Sequence, residues 1–152
     1  MKTTININNK AVEIELTADQ VEAIKKATTK YTDIKTLADA VSFLGKDDAD
    51  VMAFERTIEV SLPKDVVAYM KLRIIVKALN GDKVMDYKTI SENKYFPWFN
   101  AVGSGAGFSS YDYGYADTGS DVGSRLCFID SDRAKYAGNQ FKTIYNDYIN
   151  AN

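Results

Sequence analysis

The chain of 152 residues has no histidine, one cysteine and two prolines. Without histidine there is no Ser-His-Asp or Cys-His catalysis, no His-ligated zinc and no imidazole that changes charge near neutral pH. Cys127, being alone, forms neither an intramolecular disulfide nor a multi-cysteine metal site. Any catalysis would have to rest on carboxylates, lysine, tyrosine or this thiol. The longest apolar stretch, Val66 to Leu79, is interrupted by Lys71, Arg73 and Lys77 and is too short to span a bilayer. No apolar run follows a basic start at the N-terminus, so no signal peptide is expected. The net charge of −2 lacks the basic excess of a duplex-DNA binder.

What is there is an ordinary globular balance, 45% apolar and 26% charged, with one unusual segment. Residues Tyr95 to Phe128 hold nine of the eighteen aromatics and six of the nine glycines. Up to Ser124 the only charges in that segment are Asp112, Asp117 and Asp121. The remainder of the chain reads as a scaffold that presents it.

The pattern predicts an α+β protein. Alternation at Thr3, Ile5 and Ile7, then at Val12, Ile14 and Leu16, brackets Asn8-Asn9 and predicts a β-hairpin. Thr17 and Gln20 form a capping box for a helix ending near Thr28, and Thr36 and Gly45 bracket a second short helix over Leu37 to Leu44. Lys46 to Leu62 reads as a connection, with Thr57 to Ser61 β-like. The domain boundary is placed there, giving an N-terminal ββαα unit over 1–62 and a C-terminal α+β domain over 63–152. Pro63 opens the strongest helix, which is apolar on most of its circumference and ends at Asn80-Gly81. Its bases are read as solvated heads on packed stems. Gly81 to Lys94 reads as a polar surface loop, and Arg125 to Ile129 as a buried strand with Leu126 and Phe128 on one face. A last helix, capped by Asp130 or Ser131, carries Ala134, Ala137, Phe141, Ile144, Tyr145 and Tyr148 on one face. The C-terminal half is expected as a small antiparallel sheet flanked by two helices.

Chemical motifs are weak. Asp112, Asp117 and Asp121 lack the alternation of a calcium loop, and they read as acidic turn residues. A glycosidase-like carboxylate pair cannot be identified from composition. Gly103 to Gly107 resembles a phosphate loop only at its first G-x-G, without a following helix or base. The sequence therefore predicts no enzyme, no metal and no cofactor. Tyr95, Phe96, Trp98 and Phe99 read as core, whereas Tyr111, Tyr113 and Tyr115, interleaved with Asp112 and Gly114, have the composition of a rigid contact surface. The binding residues expected are Trp98, Phe108, Tyr111, Asp112, Tyr113, Tyr115 and Asp117. Single-stranded nucleic acid is the runner-up ligand, disfavoured by the acidic character of the loop. A glycan or small ligand is the third.

The motifs Tyr95-Phe96-Pro97-Trp98-Phe99, Gly107-Phe108-Ser109, Val122 to Phe128 (VGSRLCF) and Tyr136 to Phe141 (YAGNQF) occur in that order. In these the chain resembles a family of small uncharacterised proteins from phages and prophages of gut Bacteroidetes, over roughly residues 71–148. The resemblance implies a phage context and a shared C-terminal domain, and it transfers no catalytic or binding residue. The resulting expectation is a phage accessory or structural protein. It would contact another phage protein or itself, without membrane association, in the host cytoplasm or the virion.

Overall fold

A computed structural model of the chain describes residues 2–7, 10–89, 91–102, 107–116 and 122–150, without the side chains of 3, 5–7, 100–102, 107–112 and 116. It is a mixed α+β structure in two compact units, Met1–Lys30 and Tyr31–Asn152.

In the first unit, β1 (Lys2–Ile7) pairs antiparallel with β2 (Lys10–Glu15), Ile7 opposite Lys10. The expected Asn8-Asn9 turn lies outside the described residues. α1 (Ala18–Thr28) begins at the expected capping box: the Gln20 amide donates to Thr17 Oγ1 at 3.2 Å and the Thr17 amide donates to Gln20 Oε1 at 3.0 Å. Two of the otherwise unpartnered amides of a helix start are thereby satisfied.

The second unit is built on α4 (Lys64–Leu79). Ile74, Ile75 and Val76 are consecutive and all buried, so they point in three directions around the helix, as the all-round apolar pattern requires. Each such side chain contributes about 2 kcal/mol of transfer free energy. α2 (Leu37–Leu44), α3 (Ala49–Glu55), α5 (Ser131–Gln140) and α6 (Lys142–Ile149) pack around it. α5 and α6 also touch the aromatic hairpin, which is formed by β3 (Lys94–Val102) and β4 (Gly107–Ala116). Because α2 and α3 pack on α4, the division falls between Lys30 and Tyr31 rather than near residue 62.

Three expectations are corrected here. Residues 49–55 form a helix, where the sequence reading had a connection, and 57–59 are turn rather than strand. The Asp48 carboxylate explains it, accepting from the amides of Asp50 (2.9 Å) and Val51 (3.3 Å) as an N-cap. The bases Arg73 and Lys77 are not solvated heads: Arg73 pairs with Asp50, and Lys77 with Asp48 and, at 3.3 Å, Asp82. These pairs seat the start of α3 on α4. Finally, the last helix is two helices, because Phe141 leaves helical geometry at φ −109°, ψ 25°. The buried row Ala134, Ala137, Phe141, Tyr145 continues across the break, and no proline or glycine marks it.

Arg125 to Ile129 is likewise not a full strand. Residues Ser124–Leu126 form a 3₁₀ turn, and only Phe128 is extended in a bridge to Tyr95, with bonds of 2.7 and 3.1 Å. Leu126, Cys127 and Phe128 are all buried, rather than alternating between faces. The other edge of this short segment is satisfied by the buried side chain of Asn80. Its Nδ2 donates to the Cys127 carbonyl at 2.9 Å, and its Oδ1 accepts from the Ile129 amide at 3.2 Å. The α4 terminus beside it ends as the Asn80-Gly81 pair predicts, with Gly81 at φ 69°, and the left-handed turn extends to Asp82 at φ 70°. Arg133 from α5 then donates through Nε to the Leu79 carbonyl at 2.8 Å.

Two outcomes follow. Asn80→Leu keeps the side-chain bulk but strands a buried carbonyl and a part-buried amide, so stability falls by about 2–3 kcal/mol. Urea unfolding with an unchanged m-value checks this, and a loss below about 0.5 kcal/mol would contradict it. The second concerns pH. Burial pushes the Asp48 carboxyl up, but the Lys77 ammonium and the two capping amides outweigh it and hold the group below its ordinary 3.8. Its stabilisation is therefore complete above 3.8 and lost as pH falls through the lower folded-state value. Asp48→Asn retains the cap and removes the pair, so the stability gap from wild type, about 2 kcal/mol at neutral pH, closes on acidification. Thermal unfolding of both proteins from neutral to acid pH measures the gap.

Candidate functional site

In the β3–β4 hairpin, opposed residues share a face and successive residues alternate. The register sets Tyr95 opposite Tyr115, Phe96 opposite Gly114, Pro97 opposite Tyr113 and Trp98 opposite Asp112. A register shift follows between Trp98 and Phe99, since Phe99 pairs with Ser110 and Tyr111 is passed over. One face therefore carries Tyr95, Pro97, Tyr113 and Tyr115, and along β3 also Phe99. The other carries Phe96 and Trp98.

The first face meets the two C-terminal helices. Lys135 Nζ of α5 lies 4.8 Å from the Tyr113 ring centre, and the Phe99 and Tyr145 rings are 5.0 Å apart. Tyr95 stands 5.5 Å from Tyr113 and 6.2 Å from Tyr115, forming a row of three rings. On the second face the buried Phe96 ring lies directly over Gly114, in the space that a Cβ would need. This is where a glycine is demanded by contact rather than by backbone angle.

The residues expected to bind are thus not one cluster. Tyr113 is half-buried beneath Lys135, Tyr115 is 63% exposed on the same face, and Trp98 is 50% exposed on the opposite face. The core reading of the run Tyr95 to Phe99 is corrected at Trp98, which stands outside the core while Phe96 is buried. Phe108, Tyr111 and Asp112 belong to β4 through their backbone, but their side chains lie outside the described residues, as does the whole of Asp117.

The sequence reading missed a second feature, beside Tyr95. Lys83, Met85, Ser91, Glu92 and Asn93, in the stretch that the sequence predicts as a polar surface loop, form one wall of an open cleft of about 300 Å³ against Tyr95 and Ile129. Lys83 Nζ donates to both carboxylate oxygens of Glu92, at 3.1 and 3.3 Å, on its rim. Asn93 Nδ2 donates to the Tyr95 hydroxyl at 3.4 Å, and Ser91 and Met85 complete the lining.

The described residues between Lys83 and Asn93 form no helix or strand, yet they are pinned from beneath. Met85 is buried, and the Tyr87 hydroxyl donates to the Val122 carbonyl at 3.2 Å and lies 3.5 Å from Cys127 Sγ. Lys94, fully buried, directs Nζ to the Thr89 carbonyl and over the Tyr87 ring, 5.4 Å from its centre. Burial pushes the Cys127 thiol up, with Tyr87 and Lys94 opposing, so Cys127 behaves as a core residue. The signal available in the sequence was Met85 and Tyr87, large side chains spaced by two in a stretch whose only other apolar residues are Val84 and Ile90.

Among the described residues no helix is long and apolar enough to cross a membrane. No family model matches the chain, and no curated protein or solved structure matches it either.

The contact between Phe96 and Gly114 generates a direct expectation. Gly114→Ala places a methyl against a ring that is itself buried, and overpacking of this kind costs about 1–3 kcal/mol. Phe96→Leu in the same chain frees the space, so the double variant should lose less stability than the sum of the single variants. A double-mutant cycle by chemical denaturation measures the coupling, and strict additivity would refute the contact.

Proposed function

We propose that the chain is a non-enzymatic phage accessory or structural protein that contacts another phage protein, or a second copy of itself, through the β3–β4 hairpin. The observation carrying this reading is that Trp98 and Tyr115 stand half or more exposed on opposite faces of a hairpin whose described neighbours Phe96, Phe99 and Tyr113 are packed. Tryptophan and tyrosine supply large contact areas with few rotatable bonds and dominate the energetics of protein interfaces.

The hairpin's outer edge supports the same reading. β3 has β4 on one side and the Phe128 bridge on the other, whereas among the described residues β4 pairs with no strand besides β3. An edge of this kind accepts an added strand, and the two exposed aromatics would then flank it above and below. Between Tyr95 and Ser124 the sequence supplies only acidic charges, which favours a protein partner over a nucleic acid. The site of action in this reading is the host cytoplasm or the virion, which mass spectrometry of purified virions distinguishes.

Trp98→Thr with Tyr115→Thr keeps strand-compatible side chains and removes both aromatics. Affinity capture from phage-infected host lysate with the tagged wild-type chain should recover a phage protein that the double variant fails to recover, while the two proteins give the same circular dichroism and unfolding midpoint. Sedimentation equilibrium tests the self-contact in the same pair. Equal recovery and equal self-association by wild type and variant would overturn the proposal.

A further inference from the structure

We propose that the cleft between the 83–93 segment and Tyr95 is a binding site for a single neutral pyranose unit, separate from the hairpin contact proposed above. Its volume of about 300 Å³ lies at the small end of ligand sites, which suits one sugar ring better than a peptide or a dinucleotide. Its walls carry the two kinds of group that a sugar requires. A pyranose presents a face of C–H bonds and an equator of hydroxyls. The half-buried side chains of Tyr95 and Ile129 offer a small apolar surface to the first. Lys83, Glu92, Asn93 and Ser91 offer hydrogen bonds to the second.

The arrangement of those polar groups selects the class of ligand. Each sugar hydroxyl both donates and accepts, so adjacent hydroxyls are best met by a donor and an acceptor held side by side. Lys83 and Glu92 are such a pair, with the ammonium 3.1 and 3.3 Å from the two carboxylate oxygens. The Asn93 amide carries both functions in one group. The ammonium and the carboxylate neutralise one another, so a phosphate, carboxylate or ammonium ligand would meet one attractive and one repulsive partner. A neutral polyol meets two attractive ones.

The site is also pre-organised. Met85 is buried, Tyr87 is bonded to Val122, and the Lys94 ammonium holds the Thr89 carbonyl from inside. The Thr89 carbonyl accepts both from Lys94 and, at 3.4 Å, from the Glu92 amide, and these bonds reduce the ordering that a ligand must impose around Glu92.

The test uses the full chain, labelled with ¹⁵N, titrated with four neutral probes: methyl α-glucopyranoside, methyl α-mannopyranoside, methyl β-galactopyranoside and methyl N-acetyl-β-glucosaminide. Glucuronate and glucosamine serve as charged controls. At least one neutral glycoside should shift the amides of residues 83–95 saturably, with a millimolar Kd, and the charged controls should bind more weakly. Asn93→Ala and Lys83→Met, both at exposed positions, should each weaken that binding about tenfold without altering the spectrum elsewhere. Trp98→Thr, on the opposite face of the hairpin from Tyr95, should leave it unchanged, which separates this site from the hairpin contact. The proposal is overturned if none of the four glycosides shifts these amides at up to about 50 mM. It is equally overturned if glucuronate or glucosamine binds as well as the neutral probes, or if Asn93→Ala binds like wild type.

Discussion

The amide of one buried side chain, Asn80, substitutes for a missing β-strand. The segment around Phe128 is buried, and each of its backbone donors and acceptors needs a partner there. β3 supplies partners along one edge only, at Tyr95. Along the other edge Asn80 presents a donor and an acceptor in the arrangement of a peptide unit, and meets Cys127 and Ile129 at once. Because Asn80 is also the residue that caps the C-terminal end of the central helix, this amide ties the end of α4 to the segment that Phe128 bridges to the hairpin. Arg133 reinforces the joint through the Leu79 carbonyl and brings in the start of α5. Helix, hairpin and C-terminal helices thus meet at one polar point inside an apolar core.

What could be read from the sequence was what is decided locally. Thr17 with Gln20, Thr36 with Gly45, and Asn80 with Gly81 mark helix ends through bonds that span four residues or fewer, and all three appear in the structure. The all-round apolar surface of α4 was equally legible, since burial on many sides leaves no other pattern. What escaped depends on distant partners. α3 is seven residues long, and although Asp48 caps its start, so short a helix is marginal on its own. It persists because Asp48 and Asp50 find Lys77 and Arg73 more than twenty residues away. The same pairs give Arg73 and Lys77 a structural role in place of the solvated one expected.

The candidate site shows the same division. Alternation within β4 put Tyr113 and Tyr115 on one face correctly, since that is a property of a single strand. Whether Trp98 joins them depends on how β3 and β4 are aligned, which spacing alone does not specify, and the register places it on the reverse side. The cleft beside Tyr95 was invisible for a different reason: residues 83–93 have no periodicity, and their order comes from single anchors rather than from repeated ones.

Lys94 gives that segment an unusual character. A fully buried ammonium has exchanged its water for one carbonyl and the face of one ring, and it regains hydration whenever the cover lifts. Burial of Met85 and the Tyr87 bond to Val122 pull the other way. The segment is therefore poised between two opposed hydration preferences, apolar groups that resist wetting and a charge that welcomes it. Local opening would tend to release all three anchors together, a cooperative latch rather than a fraying loop.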